Sequence, residues 1–253
     1  MSEDKIALAF MAHPDDAEFT CAGTLALLHE RGWEIHIATM TPGQAGSEEL
    51  GPEEIGRIRR AEASRSATLL DGAYHCLECE DGFIAMDRPT KTAAVALIRK
   101  ARPRVVFAPS PVDYLYDHEI TSLVVRDAAF WSGVPNLKTE GFAPFRPCPT
   151  LYYADPTELK EPLGNVVRPG IVVDVGGVID VKTEMLKCHA SQREWLLKQH
   201  GMDEYVQAMK NMSAARGRLI GAEFGEGFRQ HLGHGYPADD LLTAELGELV
   251  HLA

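Results

Sequence analysis

Ile6-Ala7-Leu8-Ala9-Phe10-Met11-Ala12-His13-Pro14-Asp15-Asp16-Ala17-Glu18-Phe19 is the stretch on which the reading of this chain turns. Its first half is a continuous apolar run of strand length. Such a run, without polar alternation, fits a parallel strand buried on both faces. Its second half sets one imidazole and three carboxylates, His13, Asp15, Asp16 and Glu18, at the end of that strand. Burying those groups without partners is very costly, and a metal ion removes the cost. Pro14 fixes a backbone angle between His13 and Asp16, so a tight turn can aim both side chains at one point. A neutral imidazole and a carboxylate suit Zn2+, and Fe2+ accepts the same donors. Asp15 lies next to this pair, points elsewhere, and is a candidate proton acceptor. The plainer reading, an aspartate that caps the following helix, explains one carboxylate but not the whole His13–Asp16 group.

Strands and helices alternate from this point onward. A helix over Cys21–Arg31 ends at Gly32, and Trp33–Thr39 forms the second strand. Pro52-Glu53-Glu54 starts a helix that runs to Leu70. Ala73–Leu77 is a third strand, Lys91–Ala101 a helix, and Arg104–Ala108 a fourth strand. The pattern predicts an α/β fold: a three-layer, doubly wound, mostly parallel sheet of Rossmann-like type with helices on both faces. Without repeats or a linker, residues 1–253 read as a single domain. Leu151–Ala154 and Ile171–Val175 are later strands, Val181–Gln199 a long helix, and Asp203–Leu219 another. Ala244–Leu252 carries no chemistry that the sequence reveals.

Ligands of doubly wound sheets bind beyond the carboxyl ends of strands, at the switch point. If the first and fourth strands are neighbours there, the segment Pro109-Ser110-Pro111-Val112-Asp113-Tyr114-Leu115-Tyr116-Asp117-His118 faces the first motif. His118, opening a helix through Trp131, would then join His13 and Asp16. Two imidazoles and one carboxylate with an open position make a catalytic zinc arrangement. Asp117 could hold one of those imidazoles by its far nitrogen. Taken alone, His118 is one of 10 histidines and an ordinary helix-start residue; the first motif gives it its meaning.

Composition narrows the partners. The 253 residues are 45% hydrophobic and 25% charged, with a net charge of -12. That balance argues against a nucleic-acid surface or an anionic membrane as partner. No apolar run reaches the length of a membrane span, and Met1-Ser2-Glu3-Asp4-Lys5 does not read as a signal peptide, so a cytoplasmic location is expected. Five cysteines at irregular spacing do not suggest a disulfide framework. The glycine-bearing loop Thr41–Ser47 has neither a dinucleotide fingerprint nor a Walker lysine.

His13-Pro14-Asp15-Asp16-Ala17-Glu18 resembles the signature of the LmbE-like (PIG-L) zinc-dependent N-deacetylases. Further matches follow in the family's order. Arg59-Arg60-Ala61-Glu62 resembles its Arg-x-x-Glu, which puts Arg59 near the substrate; the residues alone do not separate Arg59 from Arg60. Lys182-x-x-Met185-Leu186-x-x-His189-Ala190-Ser191-Gln192 is similar to the family's Lys…His-x-Ser-Gln helix, and Glu226-Gly227-Phe228-Arg229 to its closing segment. The chain departs in one place: Leu115 stands where the family has a histidine that polarises the substrate carbonyl and helps protonate the product. Leucine does neither, so Tyr114, Tyr116 or His189 takes over, or the substrate or rate differs.

The resemblance implies removal of an acetyl group from an N-acetylated amino sugar or glycoconjugate. Zinc would sit on His13, Asp16 and His118. Asp15 would be the general base, with His189 and Asp117 as further catalytic groups. Arg59, Tyr114, Tyr116 and Gln192 would meet the substrate. Relatives are often oligomeric, so a homo-oligomer is expected. The Leu115 departure keeps two alternatives open: hydrolysis of another amide or ester, and a metal-binding module that has lost activity.

Overall fold

The apolar run forms the central strand β1 (Ile6–Met11), with Ala7, Ala9 and Met11 packed into one core and Leu8 and Phe10 into the other. In this computed structural model, residues 5–193 and 204–253 are described. β2 (Glu34–Thr39), β3 (Ala73–Cys76), β4 (Val105–Ala108) and β5 (Thr150–Ala154) join β1 in a parallel sheet of order β3-β2-β1-β4-β5. β6 (Ile171–Asp174), β7 (Gly225–Gln230) and β8 (Val250–Leu252) extend it antiparallel beyond β5 in the order β7-β6-β8. Helices Ala22–Glu30, Ile179–Lys187 and Leu241–Leu246 cover one face; Arg88–Ala101 and Tyr116–Trp131 cover the other. The fold is the expected α/β sheet with helices on both sides. Its order reverses at β1, so the β1 and β4 loops open onto one crevice. No helix among the described residues is long and apolar enough to cross a membrane.

Two late strands differ from the sequence reading. Gly225–Gln230 lacks the apolar alternation of a strand, and glycine weakens strands, while Val250–Leu252 is only 3 residues long. The glycines of β7 are there for closeness. A Cβ on Gly227 would lie 2.1 Å from the Asp155 carboxylate, and one on Gly225 would lie 2.7 Å from Val172. The expected helix over Val181–Gln199 ends at Lys187, and helical structure resumes at Ala190. The interruption turns His189 inward, with its Nε2 3.1 Å from Glu18. The rest of that expected helix, including Trp195 and Leu196, and the expected helix start at Asp203 lie outside the described residues.

One buried ion pair ties β7 to the helix Ile179–Lys187, and further hydrogen bonds tie it to Ala22–Glu30. Glu226 accepts from the Gly23 and Thr24 backbone N–H groups and the Thr24 hydroxyl, and from Lys182 Nζ at 2.6 Å. Both members of the pair are almost completely buried. Lys182→Met leaves an anion in that site without its cation. It is expected to cost about 3–5 kcal/mol in urea unfolding. The double variant with Glu226→Gln should recover part of that loss; a single variant as stable as the wild type would show the pair to be dispensable.

Candidate active site

The turn after β1 is built from its own sequence. The Asp16 carboxylate folds back, and its Oδ2 accepts from the Ala12 and His13 backbone N–H groups at 3.1 and 2.8 Å. Asp16 is thereby held under the His13 ring, whose Nδ1 lies 3.6 Å from Oδ2. Asp15 is the residue before the short helix Asp16–Thr20, yet its side chain makes no capping bond and its φ is +102°. Simple capping therefore does not account for either aspartate. A non-glycine residue at such an angle is strained, and its surroundings must hold it there.

The β4 loop brings the third member. The helix begins at Tyr116, slightly before the expected start, and His118 lies in its first turn. Asp113 organises this approach: its Oδ1 accepts from Leu115 N–H at 3.2 Å and from His118 Nδ1 at 2.9 Å. His118 Nε2 is left facing Asp16 Oδ1 at 3.3 Å. On the other side, His13 Nε2 lies 3.0 Å from Asp81 and 3.2 Å from Asp117. Asp81 is anchored by the Ala45 N–H and Asp117 by the Gly82 N–H. Each imidazole is therefore gripped at its far nitrogen, which leaves His13 Nδ1 and His118 Nε2 turned toward the Asp16 carboxylate.

His13, Asp16 and His118 present ligand atoms that all lie within 4.8 Å of one another, and so do His13, Asp81 and Asp117. The first group is the better metal set. Its three residues all line the cavity, whereas Asp117 does not. The second group reads as the support for His13: its carboxylates face the ring's far nitrogen, and each accepts a backbone N–H. The donor chemistry of the first group, two imidazoles and a carboxylate, fits zinc or iron(II).

The charges are strongly coupled. Burial alone would lower the His118 pKa, but the Asp16 and Asp113 carboxylates outweigh it and push it up to about 10. His13 is likewise raised well above its usual value, against burial, by Asp117, Asp16 and Asp81. Burial works against the Asp16 carboxylate, yet His118 and His13 hold it well below the usual range. Burial pushes Asp15 up, with the Arg59 guanidinium opposing.

A cavity of about 780 Å³ opens over this cluster. Asp15, Arg59, Tyr114 and Gln192 line it; Tyr116 and His189 do not. Arg59 is buried and donates to Pro14 O at 2.7 Å and Gly43 O at 3.0 Å. Arg60 instead reaches Glu78 on the surface, so the fold separates the two arginines that the sequence does not. Glu62 of the same motif accepts from the Ser191 N–H and hydroxyl, locking it to the His189–Gln192 motif 129 residues away. Gln192 donates to Gly46 O at 3.1 Å.

The Tyr114 and His118 rings meet edge to face with centroids 5.6 Å apart, whereas Tyr116 is 58% exposed. His189 is fully buried against Glu18, which accepts from the Ser66 hydroxyl. Of the expected site residues, Tyr116 faces solvent and His189 lies behind the cavity wall. The residues that the sequence reading missed are Asp81, Asp113 and Tyr205. Asp81-Gly82 is a turn pair and Asp113 precedes Leu115 at the spacing of an Asx turn, so both left a local trace. Tyr205 left none.

The family described as GlcNAc-PI de-N-acetylase (PIG-L) matches residues 8–129, which hold the whole ligand cluster. The match to the PIG-L (LmbE-like) family covers just under half of the chain. Another family resemblance is to the diacetylchitobiose deacetylase of Thermococcus kodakarensis, 25% identical over 89% of this chain and 82% of that protein. The 4-oxalmesaconate hydratase of Pseudomonas putida is also 25% identical, over 85% of this chain and 86% of its own length. Among solved structures, the N,N'-diacetylchitobiose deacetylase of Pyrococcus horikoshii superposes with a TM-score of 0.76 at 26% identity, covering 94% of this chain and 88% of that one. The chain thus shares its architecture with proteins named for two different reactions.

Proposed function

We propose that this chain is a metal-dependent N-deacetylase of an N-acetylated amino sugar or its conjugate, carried by one domain. The observation behind this reading is the convergence of His13, Asp16 and His118 beside a cavity-lining Asp15. His13, Asp16 and His118 would hold zinc or iron(II), which when bound polarises an acyl oxygen and acidifies water. Asp113, Asp81 and Asp117 fix the tautomers that leave the two ligand nitrogens free. Asp15 takes a proton from the attacking water and returns it to the amide nitrogen. The C–N bond then breaks to give acetate and a free amine. Arg59 holds the Asp15 turn against the 43–46 loop and presents its guanidinium to the substrate. Tyr114 and Gln192 supply wall contacts for the sugar. His189 supports the pocket from behind its wall, with its Nε2 3.1 Å from Glu18.

Charge favours this reading over hydration of a polycarboxylate, the reaction class of the Pseudomonas relative's name. Among the described lining residues, the carboxylates of Asp15, Asp16, Asp81, Asp113, Asp155 and Glu158 outnumber the basic side chains of Arg59, His13 and His118, and none is a lysine. A neutral sugar amide enters such a site without the repulsion that a multiply charged anion meets. The test is amine release from N,N'-diacetylchitobiose and N-acetylglucosamine by zinc-loaded protein, with hydration of 4-oxalmesaconate followed in parallel. Amine release is expected. Hydration without amine release would transfer the site to the rival reaction.

A further inference from the structure

The Asp15 carboxylate has two unequal oxygens. Oδ2 accepts from the Tyr205 hydroxyl at 2.7 Å and lies 3.5 Å from Arg59 Nη2. No hydrogen-bond partner is found for Oδ1 among the described residues, and the side chain, 16% exposed, lines the cavity. One oxygen is clamped and the other is left to the substrate. The clamp comes from far away: Tyr205 stands at the start of the helix Glu204–Ile220, 190 residues beyond Asp15. Its ring is itself fixed. It is buried, it packs with Leu186 and Met209, and it meets Phe19 edge-on at 5.1 Å.

We propose that Tyr205 is a positioning residue for Asp15, holding Oδ2 so that Oδ1 addresses the reacting water and the amide nitrogen. The proposal rests on the hydrolase reading given above. Leu115 has no proton to give, so the whole proton cycle falls on Asp15: an O–H bond of water breaks as one forms at Oδ1, and that proton then passes to nitrogen as the C–N bond breaks. Tyr205 keeps its own proton throughout. At φ +102° the Asp15 backbone is strained, and the anchor at Oδ2 is one of the contacts that hold this residue in place.

Tyr205→Phe keeps the ring and its packing and removes only the O–H group. With diacetylchitobiose as probe, kcat is expected to fall roughly 10- to 100-fold, the lower part of a general base's range. KM should stay within about 2-fold and metal content should not change. In an Asp15→Asn background the same substitution should have no further effect on kcat, because both changes act through one group. Equal fold losses in the two backgrounds, or a Tyr205→Phe kcat within 2-fold of the wild type, would overturn the proposal, as would a loss confined to KM.

Urea unfolding of the same four proteins separates this failure from failure of the hydrolase reading. If the wild type releases no amine from any acetylated sugar, hydrolysis itself falls. Non-additive midpoints would then still show Tyr205 bound to Asp15, and additive ones would remove the clamp as well.

Discussion

Asp15→Asn is expected to lower kcat by about 10²- to 10⁴-fold while the protein keeps its full metal content. Asparagine is the substitution of choice because it tolerates positive φ, whereas alanine at +102° would add backbone strain to the loss of the base. It is isosteric, so the Tyr205 hydroxyl and the Arg59 guanidinium retain an oxygen to approach. What it removes is the capacity to accept a proton. The side chain stands one residue from Asp16, so metal content must be measured in the same samples by elemental analysis. Undiminished turnover with metal in place would take Asp15 out of the mechanism. Loss of metal together with turnover would instead make it part of the ligand cluster.

His118→Ala is expected to abolish stoichiometric metal binding, from about one zinc or iron per chain to below about 0.1. Cutting a three-residue set to two removes the imidazole that the β4 loop delivers, and no other described histidine is grouped with His13 and Asp16 in its place. The wild-type protein should show a second signature. Asp16 and Asp113 push the His118 pKa up to about 10 against burial, and His13 is raised well above its usual value, so both favour the protonated ring. A metal competes with protons for these nitrogens. Uptake should therefore release protons, and affinity should rise with pH across the neutral range. Calorimetry in buffers of different ionisation enthalpy counts those protons. Unchanged binding in His118→Ala, or uptake without proton release, would contradict the proposed ligand set.

Much of this was legible before the chain was folded. The unbroken apolar run Ile6–Met11 is what a strand buried on both faces requires, and β1 has a core on each side. His13 and Asp16 share one turn, and their relation depends on a few backbone angles and on two hydrogen bonds within four residues. The helix at His118 was legible for the same reason. The failures lie where sequence pattern and local structure part company. β7 hides behind glycines whose purpose is close approach to Asp155 and Val172. His189 sits on a helical repeat in the sequence, but the helix breaks there and a buried carboxylate claims the ring.

The sequence by itself determined the parallel α/β core, the His13–Asp16 turn, and the set of residue types able to hold a metal, because each depends on neighbours in the chain. Tertiary structure alone decided which of two adjacent arginines faces the cavity. It also decided which nitrogen of each imidazole is free, that Asp81 and Asp113 grip His13 and His118, and that Tyr205 reaches Asp15. Those contacts join side chains brought together by strand order and helix docking. No local periodicity encodes a distance across a crevice between segments up to 190 residues apart.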